Sequence, residues 1–509
     1  MLMFNQSTRG ALLTCLLLSL GLETTLAQTA SLVIEPAHPY AATITQEDLS
    51  RHLHIIAADS MEGRYTGSAG QKKAARYIAE HFQAIGLQAP VKTPEGMQYF
   101  QTFEMVTRSW KEVYVKVGKQ KFAFMEDVYA IGNSNAQGEL SLDIVYGGAG
   151  TPTELASLSL KGKGLVLRET EPEELYKAAT LAREKGARAL FVLKGETKED
   201  FKEAVEYNAY YLKRGYRGLS NPRRPETAVF YISSALAKTI FGKEVSDILK
   251  APAGSLKGKS VALQATMTEK IEFSSENVLG FLEGTDKKDE VLVITAHYDH
   301  IGKRGEEINN GADDDGSGTV SVLEIAQAFA QAKAAGKGPR RSILFMTVAG
   351  EELGLFGSQY YADFDPVFPL QNTVANLNID MVGRIGGDYI EINEPNYVYL
   401  IGSDKLSTEL HQLSEAANRE TVNLKLDYKY NDENDPNRFY YRSDHYNFAK
   451  NDIPIIFYFN GTHPDYHQPT DTVEKIHFPK LEKIARLVFY TAWEVSNREN
   501  RIRVDKADK

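Results

Sequence analysis

Between residues 275 and 495 the chain repeats one pattern, a short continuous apolar run followed by a loop or an amphipathic helix. Four such runs occupy 291–294, 343–348, 374–379 and 453–459. A strand that is apolar at every position is buried on both faces, which is typical of a parallel sheet covered by helices. Amphipathic helices are predicted at 319–332 and 481–495. The pattern therefore predicts a three-layer α/β/α domain around a mostly parallel, mixed sheet.

The segment of about 110–270 interrupts this pattern with short strands and loops around one β–α–β unit. Its predicted elements are a strand at 164–167, a helix at 173–185 and a strand at 189–193. The stretch 206–226 is rich in Tyr, Arg and Gly and has no clean period, so we predict a surface loop that either lines a cleft or is simply solvated.

Two helices are predicted ahead of this segment. Thr45 is a suitable N-cap for the first, and the second runs over 68–85 and stops at Gly86. The sequence thus predicts a discontinuous α/β domain and a β-rich α/β domain inserted into it. The predicted divisions are 28–110 with 270–500 for the first domain, 111–269 for the insert and 501–509 for a polar tail.

The N-terminal 27 residues have the features of a secretory signal. Arg9 precedes an apolar run at 11–22, which is shorter than the roughly 20 residues needed to span a bilayer. Small residues at 25 and 27 suit cleavage before Gln28. We therefore expect an exported protein, periplasmic or extracellular, without stable membrane insertion after cleavage; an uncleaved anchor is the alternative.

Composition narrows the classes of function. The formal net charge is 58 − 68 = −10, so the chain lacks the basic character of a nucleic-acid-binding protein. Its single cysteine, Cys15, lies inside the predicted signal. Any metal site in the mature protein must consequently use His, Asp and Glu, and sites of that kind usually keep an open position and are catalytic.

Five polar motifs follow the buried strands in order. They are AHYDHIG at 296–302, GADDDGSG at 311–318, GEELG at 350–354, NIDM at 378–381 and DYHQPTD at 465–471. Each alone has a plain structural explanation, such as a hydrogen-bonded His, a solvated turn or a helix cap. Together they lie at the carboxyl ends of apolar strands, where open α/β sheets bind ligands. His297 and Asp299 share a face of an extended segment, which suits a metal-binding imidazole supported by a carboxylate.

The ordered motifs AHYDHIG, GADDDGSG, AGEELGLFGS, NLNIDMVG, YRSDH and DYHQPTDT resemble metallopeptidase family twenty-eight. These are co-catalytic dizinc aminopeptidases, to which glutamate carboxypeptidase II is related. The stretch MEGRYTGS at 61–68 resembles the opening of the same family. The region of about 110–270 is similar to a protease-associated domain inserted in such peptidases.

The resemblance implies two zinc ions per chain. By position in the motifs, His297 and Asp380 would hold one ion, Glu352 and His467 the other, and Asp314 would bridge them. Family members often carry a cis peptide directly after this bridging Asp.

The resemblance also implies roles around the metals. Glu351 would be the general base, Asp299 would orient His297, and Tyr466 would help to hold the oxyanion. The segment Ser443, Asp444 and His445 resembles the substrate-side loop of the family.

The resemblance implies an aminopeptidase that acts on peptide substrates. A homodimer is a candidate assembly. Carboxypeptidase-like relatives need a basic pocket, for which Arg384, Arg438 and Arg442 are candidates. Glutaminyl-cyclase-like relatives use one zinc, whereas all five positions of the dimetal set are filled here. A non-catalytic protein resembling transferrin receptor is disfavoured because the ligands and the base are retained.

Overall fold

The computed structural model describes residues 32, 34–131, 138–220 and 229–506. The predicted signal segment, residues 1–27, lies outside these ranges. Among the helices within them, none is both long and apolar enough to cross a bilayer.

A mixed sheet of eleven strands forms the centre of the described chain. Nine strands follow one another in the order Tyr216–Leu219, Phe100–Val117, Val261–Leu282, Arg341–Val348, Lys287–His297, Thr373–Ile379, Ile455–Phe459, Tyr397–Ile401 and Lys425–Asp427. Two short strands, Gln120–Ala123 and Leu140–Leu142, pair outside this path. The four middle strands, from Arg341–Val348 to Ile455–Phe459, are parallel to one another. These four are the apolar runs of the sequence, so the predicted parallel centre is confirmed.

Alternate residues of the central strands bury themselves in two different cores. Leu292 and Ile294 pack on one face, and Val291 and Val293 pack on the other. The first face is covered by helices His38–Ala41, Gln46–Ile56, Ala69–Ala84, Gly318–Ala334, Thr408–Glu420 and Phe478–Asn497. The second is covered by helix His445–Ala449 and the turn Tyr360–Phe364, with helix Phe356–Gln359 beside them. The three-layer α/β/α arrangement is thereby confirmed.

A second sheet of five strands occupies the middle of the chain. Its order is Val128–Ile131, Val229–Ile232, Ala189–Leu193, Gly164–Arg168 and Ile144–Tyr146. The predicted β–α–β unit is present, with helix Pro172–Glu184 between two parallel strands. Further helices of this region are Pro152–Ala156, Lys198–Arg214, Ser234–Phe241 and Val245–Lys250. Two short hairpins, Val91–Thr93 with Gly96–Gln98 and Lys303–Arg304 with Glu307–Ile308, complete the strands.

One long antiparallel ribbon joins the two sheets. It pairs Phe100–Val117 with Val261–Leu282. Phe103 and Leu282 at one end belong to the large helical core, whereas Val115 and Leu263 at the other end belong to the core of the second sheet. The ribbon thus runs straight through the boundaries predicted at 111 and 269, and the division into two domains stays a prediction.

The surface loop predicted at 206–226 is wrong for its described part. Residues up to Arg214 belong to helix Lys198–Arg214, and Tyr216–Leu219 is a strand of the main sheet. Thr197 caps the helix, and its apolar face is buried through Phe201, Val205 and Leu212. The helical period is obscured in the sequence because large aromatic residues also occupy the solvent face, as Tyr207 does with 89% exposure. Residues 221–228 lie outside the described ranges.

The polar tail predicted at 501–509 is held against the rest of the chain in its described part, and the N–H groups of Asp505 and Lys506 donate to the carbonyl oxygen of Leu406. Arg501 donates to the carbonyl oxygens of Gln371 and Thr373, and Ile502 is buried. The guanidinium group satisfies main-chain oxygens at the end of a strand, which composition alone does not reveal.

Candidate metal centre

The polar residues predicted as ligands meet at one edge of the main sheet. His297 is the last residue of its strand, and Asp380 follows Thr373–Ile379 directly. Glu352 follows the strand Arg341–Val348 after a short loop, and His467 lies beyond Ile455–Phe459. Because the four strands are parallel, their carboxyl ends meet at the same edge. The topology therefore brings together residues that are up to 170 positions apart.

Asp314 lies between two groups of potential ligands. Its Oδ1 atom is 3.2 Å from His297 Nε2, and its Oδ2 atom is 3.1 Å from His467 Nε2. The carboxylate is buried, and its two oxygens face opposite groups. The Asp314–Asp315 peptide is cis, as the resemblance implies. This geometry is the one expected of a bridging carboxylate.

The first group surrounds His297. Its Nε2 atom is 3.6 Å from Asp380 Oδ1 and 3.9 Å from Glu351 Oε2. His297, Glu351 and Asp380 each offer an atom close enough to the others to share one ion. By distance Glu351 thus belongs to the first group, and its carboxylate is close enough to accept a proton from a molecule held there.

The second group contains a residue to which the sequence analysis gave no role. His467 Nε2 is 3.1 Å from Glu352 Oε2. His300 Nδ1 is 2.8 Å from the other oxygen of the same carboxylate, Oε1. The motif AHYDHIG contains His300, but only the folded chain brings it to Glu352, 52 positions away.

Backbone amides and carboxylates fix the loop that carries Asp314. Asp315 accepts hydrogen bonds from the main-chain N–H groups of His297, Gly318 and Met381. Asp471 accepts from the N–H groups of Asp313 and Asp314. Only the middle one of the three adjacent aspartates thus faces the candidate ligands, while its neighbours hold the framework.

Asp299 contacts His297 through its main chain. His297 Nδ1 is 3.0 Å from the carbonyl oxygen of Asp299 but 3.7 Å from its carboxylate oxygen Oδ1. The carboxylate instead accepts from the Thr66 hydroxyl and from the Glu351 N–H group. Asp299 consequently links the His297 segment to the loop of Glu351.

The three residues predicted on the substrate side are almost fully buried. Ser443 donates to Asp380 Oδ2 at 2.6 Å and therefore supports a candidate ligand. Asp444 contacts the Ser358 hydroxyl. His445 Nε2 lies 2.8 Å from the Tyr440 carbonyl oxygen, and the His445 ring stacks on Phe457. The segment continues into helix His445–Ala449, and its role on the substrate side stays a prediction.

The site concentrates negative charge in a buried place. Burial and nearby carboxylates raise the pKa of Glu351 well above its ordinary value, and burial raises the pKa of Asp444 to about 7. Burial lowers the pKa of His467, but the adjacent carboxylates of Asp314 and Glu352 outweigh this effect and raise the value to about 10. The raised pKa of His467 shows that the carboxylates around it favour a cation at this place.

The donors fit two divalent ions of the zinc type. Imidazole nitrogen and carboxylate oxygen are normal zinc ligands, and clusters of His, Asp and Glu are typical of catalytic zinc sites. Asp314 Oδ2 and His467 Nε2 are both buried without a hydrogen-bond partner among the described residues, although they lie 3.1 Å apart. An ion held between them would satisfy both atoms.

A cavity opens onto the ligand cluster. Five of its lining residues are the polar groups His297, Asp314, Glu351, Asp380 and Tyr466. The rest of the lining consists of four apolar residues, a threonine and an arginine, namely Met381, Phe439, Phe457, Phe459, Thr462 and Arg442. Tyr466 stacks on His467, and burial together with Asp314, Glu352 and Glu351 raises the pKa of its hydroxyl. The described residues of 206–226 are not part of this wall.

The three arginines considered for a basic pocket have different environments. Arg384 pairs with Asp465 at 2.8 Å and approaches Asp471 at 3.6 Å. Its charge is therefore paired with the loop 465–471. Arg438 lies over the ring of Tyr441. Arg442 lines the cavity, and its guanidinium group lies over Phe439.

The residues that carry the candidate ligands match a known protein family. Residues 277–492 match the profile of peptidase family M28 over the whole set of candidate ligands. This part of the chain belongs to peptidase family M28. The M28 region carries all five positions of the predicted dimetal set and the candidate base.

Individual relatives share part of the chain. Aminopeptidase YwaD of Bacillus subtilis is 26% identical over 264 residues, which cover 48% of this chain and 50% of YwaD. A probable leucine aminopeptidase of Arthroderma otae is 30% identical over 243 residues, covering 46% of this chain and 62% of that protein. The chain thus spans about half to three fifths of the length of these relatives.

BSAP, described as a zinc aminopeptidase from Bacillus subtilis, aligns with a TM-score of 0.46 and 20% identity, over 91% of this chain and 98% of BSAP.

Proposed function

We propose that the chain is a dizinc aminopeptidase that removes N-terminal residues from peptides. The observation that carries the proposal is the position of Asp314, whose two carboxylate oxygens face His297 and His467 at 3.2 and 3.1 Å. His297 and Asp380 would hold one zinc ion, and Glu352 and His467 the other. The names of YwaD and of the Arthroderma otae relative support the choice of reaction.

Hydrolysis would need a Lewis acid, a proton acceptor and a group that binds the oxyanion, and different parts of the site would supply them. Bound zinc supplies Lewis acidity and lowers the pKa of water toward about 7. Glu351 would accept a proton from the attacking water and later donate it to the departing amine. Its raised pKa, its distance of 3.9 Å from His297 Nε2 and its place in the cavity wall support this role.

Tyr466 would bind the oxygen that becomes negative in the transition state. Tyr466 lines the cavity, and its ring stacks on that of His467 at 3.9 Å between centroids. A hydrogen-bond donor that is already oriented needs little reorganisation when the negative charge develops, so it stabilises the transition state.

The segment 1–27 supports export, and the β–α–β unit around Pro172–Glu184 supports a protease-associated type of insert. Export would place the enzyme in the periplasm or outside the cell, where free peptides are its substrates.

A carboxypeptidase is the second candidate, and Arg442 is the observation that favours it. This residue lines the cavity and has no ion pair with an acidic side chain among the described residues, so it could bind the carboxylate of a peptide C-terminus. Arg384 is less suited to that role because it pairs with Asp465.

Three versions of one peptide distinguish these candidates. An aminopeptidase should cleave the free peptide and its C-terminal amide but not its N-acetylated form. Cleavage of the N-acetylated peptide, together with loss of cleavage on amidation, would instead favour the carboxypeptidase. In that case Arg442→Gln should raise KM for the peptide with a free carboxylate.

A further inference from the structure

His300 is fixed in place by its surroundings. It is fully buried, and its main-chain N–H donates to the carbonyl oxygen of Arg64. Gly311, with φ +55°, lies against the ring; a Cβ atom there would be 2.5 Å from both Cγ and Cδ2 of His300. The imidazole therefore has one position, and Gly311 provides the space for it.

The ring presents a single nitrogen to the metal site. His300 Nδ1 is 2.8 Å from Glu352 Oε1, whereas it is 3.7 Å from Asp314 Oδ2, which is beyond hydrogen-bond distance. An ionised carboxylate only accepts hydrogen bonds, so Nδ1 is the donor.

The hydrogen bond with His300 gives the two oxygens of the Glu352 carboxylate different partners. Oε1 is occupied by His300, and Oε2 lies 3.1 Å from His467 Nε2. With one oxygen held, the other is directed at the place where an ion would be shared with His467. Outer hydrogen bonds of this kind fix the orientation of a ligand and its affinity for metal.

We propose that His300 is a positioning residue for the second zinc ion: it binds Glu352 Oε1 and thereby aims Oε2 at the metal. This inference rests on the proposed dizinc function. His300 itself binds no metal, although it lies close enough to Asp314 and Glu352 to be considered as a ligand.

Two substitutions of His300 test the proposal because their amide groups take different places. The side-chain amide of His300→Asn occupies roughly the place of Nδ1 and keeps the donor. The amide of His300→Gln occupies roughly the place of Nε2 and removes the donor from Glu352. Zinc affinity is measured for each site by competition with a chelator, and X-ray absorption counts the imidazole ligands per zinc.

We expect His300→Asn to bind the second zinc within about threefold of the wild type. His300→Gln should bind it about 10–100-fold more weakly, with the first zinc and the imidazole count unchanged. If His300→Gln does not fold, His300→Ser, which also lacks the donor, replaces it.

Equal affinity in all variants would overturn the proposal, as would equal weakening in both. A lower imidazole count in either variant would show that His300 is a ligand. Failure of the proposed function looks different, because the wild type itself would then bind no zinc or cleave no peptide.

Discussion

At the scale of single residues, Arg64 is a buried charge that holds together chain segments next to the candidate metal site. Its guanidinium group donates to the carbonyl oxygens of Tyr298, Ile56, Asn310 and Gly311. Burial lowers its pKa to about 10, so the group is still charged at pH 7. A cation is thus fixed under the acidic cluster and ties together the segments that carry His300 and the aspartate loop.

Replacing Arg64 by Lys should destabilise the protein, because one ammonium group cannot reach all four carbonyl oxygens. We expect the free energy of unfolding to fall by about 3 kcal/mol or more, since buried acceptors lose their donors. Chemical denaturation measures the change. Arg51→Lys, at a half-exposed position, is the control and should change stability by about 0.5 kcal/mol at most; an equal effect of both variants would contradict the account.

At the scale of elements, two loops are fastened to each other. The loop 463–471 carries His467, and its ends bind the loop of Asp314. His463 Nε2 lies 3.1 Å from Asp313 Oδ2, and Asp471 accepts from two N–H groups at 2.9 and 3.2 Å. The relative position of His467 and Asp314 therefore depends on these anchors.

A matched pair of substitutions at Asp471 tests the anchor. Asp471→Asn keeps an oxygen that can accept from the main chain, whereas Asp471→Ala leaves the N–H groups of Asp313 and Asp314 unpaired. We expect Asp471→Ala to weaken binding of the zinc ion shared by His467 about tenfold and Asp471→Asn to change it little, as measured by chelator competition. Similar affinities for the two variants would show that the anchor is unimportant.

The elements also show what the sequence could and could not predict. The middle strands were predictable because they are apolar at every position, and the ligand motifs because each follows such a strand. The helix Lys198–Arg214 was missed because exposed tyrosines on its solvent face masked the period. The pairing of His300 with Glu352 could not be predicted, since it depends on how two separate loops approach each other.

At the scale of the whole molecule, buried histidines make the free energy of unfolding depend on pH, even when no metal is bound. Burial lowers the pKa of His445 from 6.5 to about 3 and that of His81 to about 4. The unfolded chain takes up these protons as pH falls below about 6.5, but the folded chain does not until pH 3 to 4. Stability is therefore full above about pH 6.5 and is lost as pH falls toward these values.

The His445→Gln variant should reduce this dependence, because the amide replaces Nε2 as the partner of the Tyr440 carbonyl and does not titrate. In zinc-free protein between about pH 4 and 6, we expect the slope of unfolding free energy against pH to fall by about 1.4 kcal/mol per pH unit. Denaturant unfolding at several pH values gives the slope, and an unchanged slope would mean that His445 is protonated in the folded protein.

The central claim, that a dimetal centre works with Glu351 as its base, is tested most directly by Glu351→Gln. Zinc content and turnover of a free peptide are measured on the same preparations of variant and wild type. Because Gln cannot accept the proton and the five proposed ligands do not include Glu351, we expect about two zinc ions per chain in both proteins and a turnover lower by at least about 10²-fold in the variant. Unchanged turnover, or a single zinc ion in the wild type, would contradict the account.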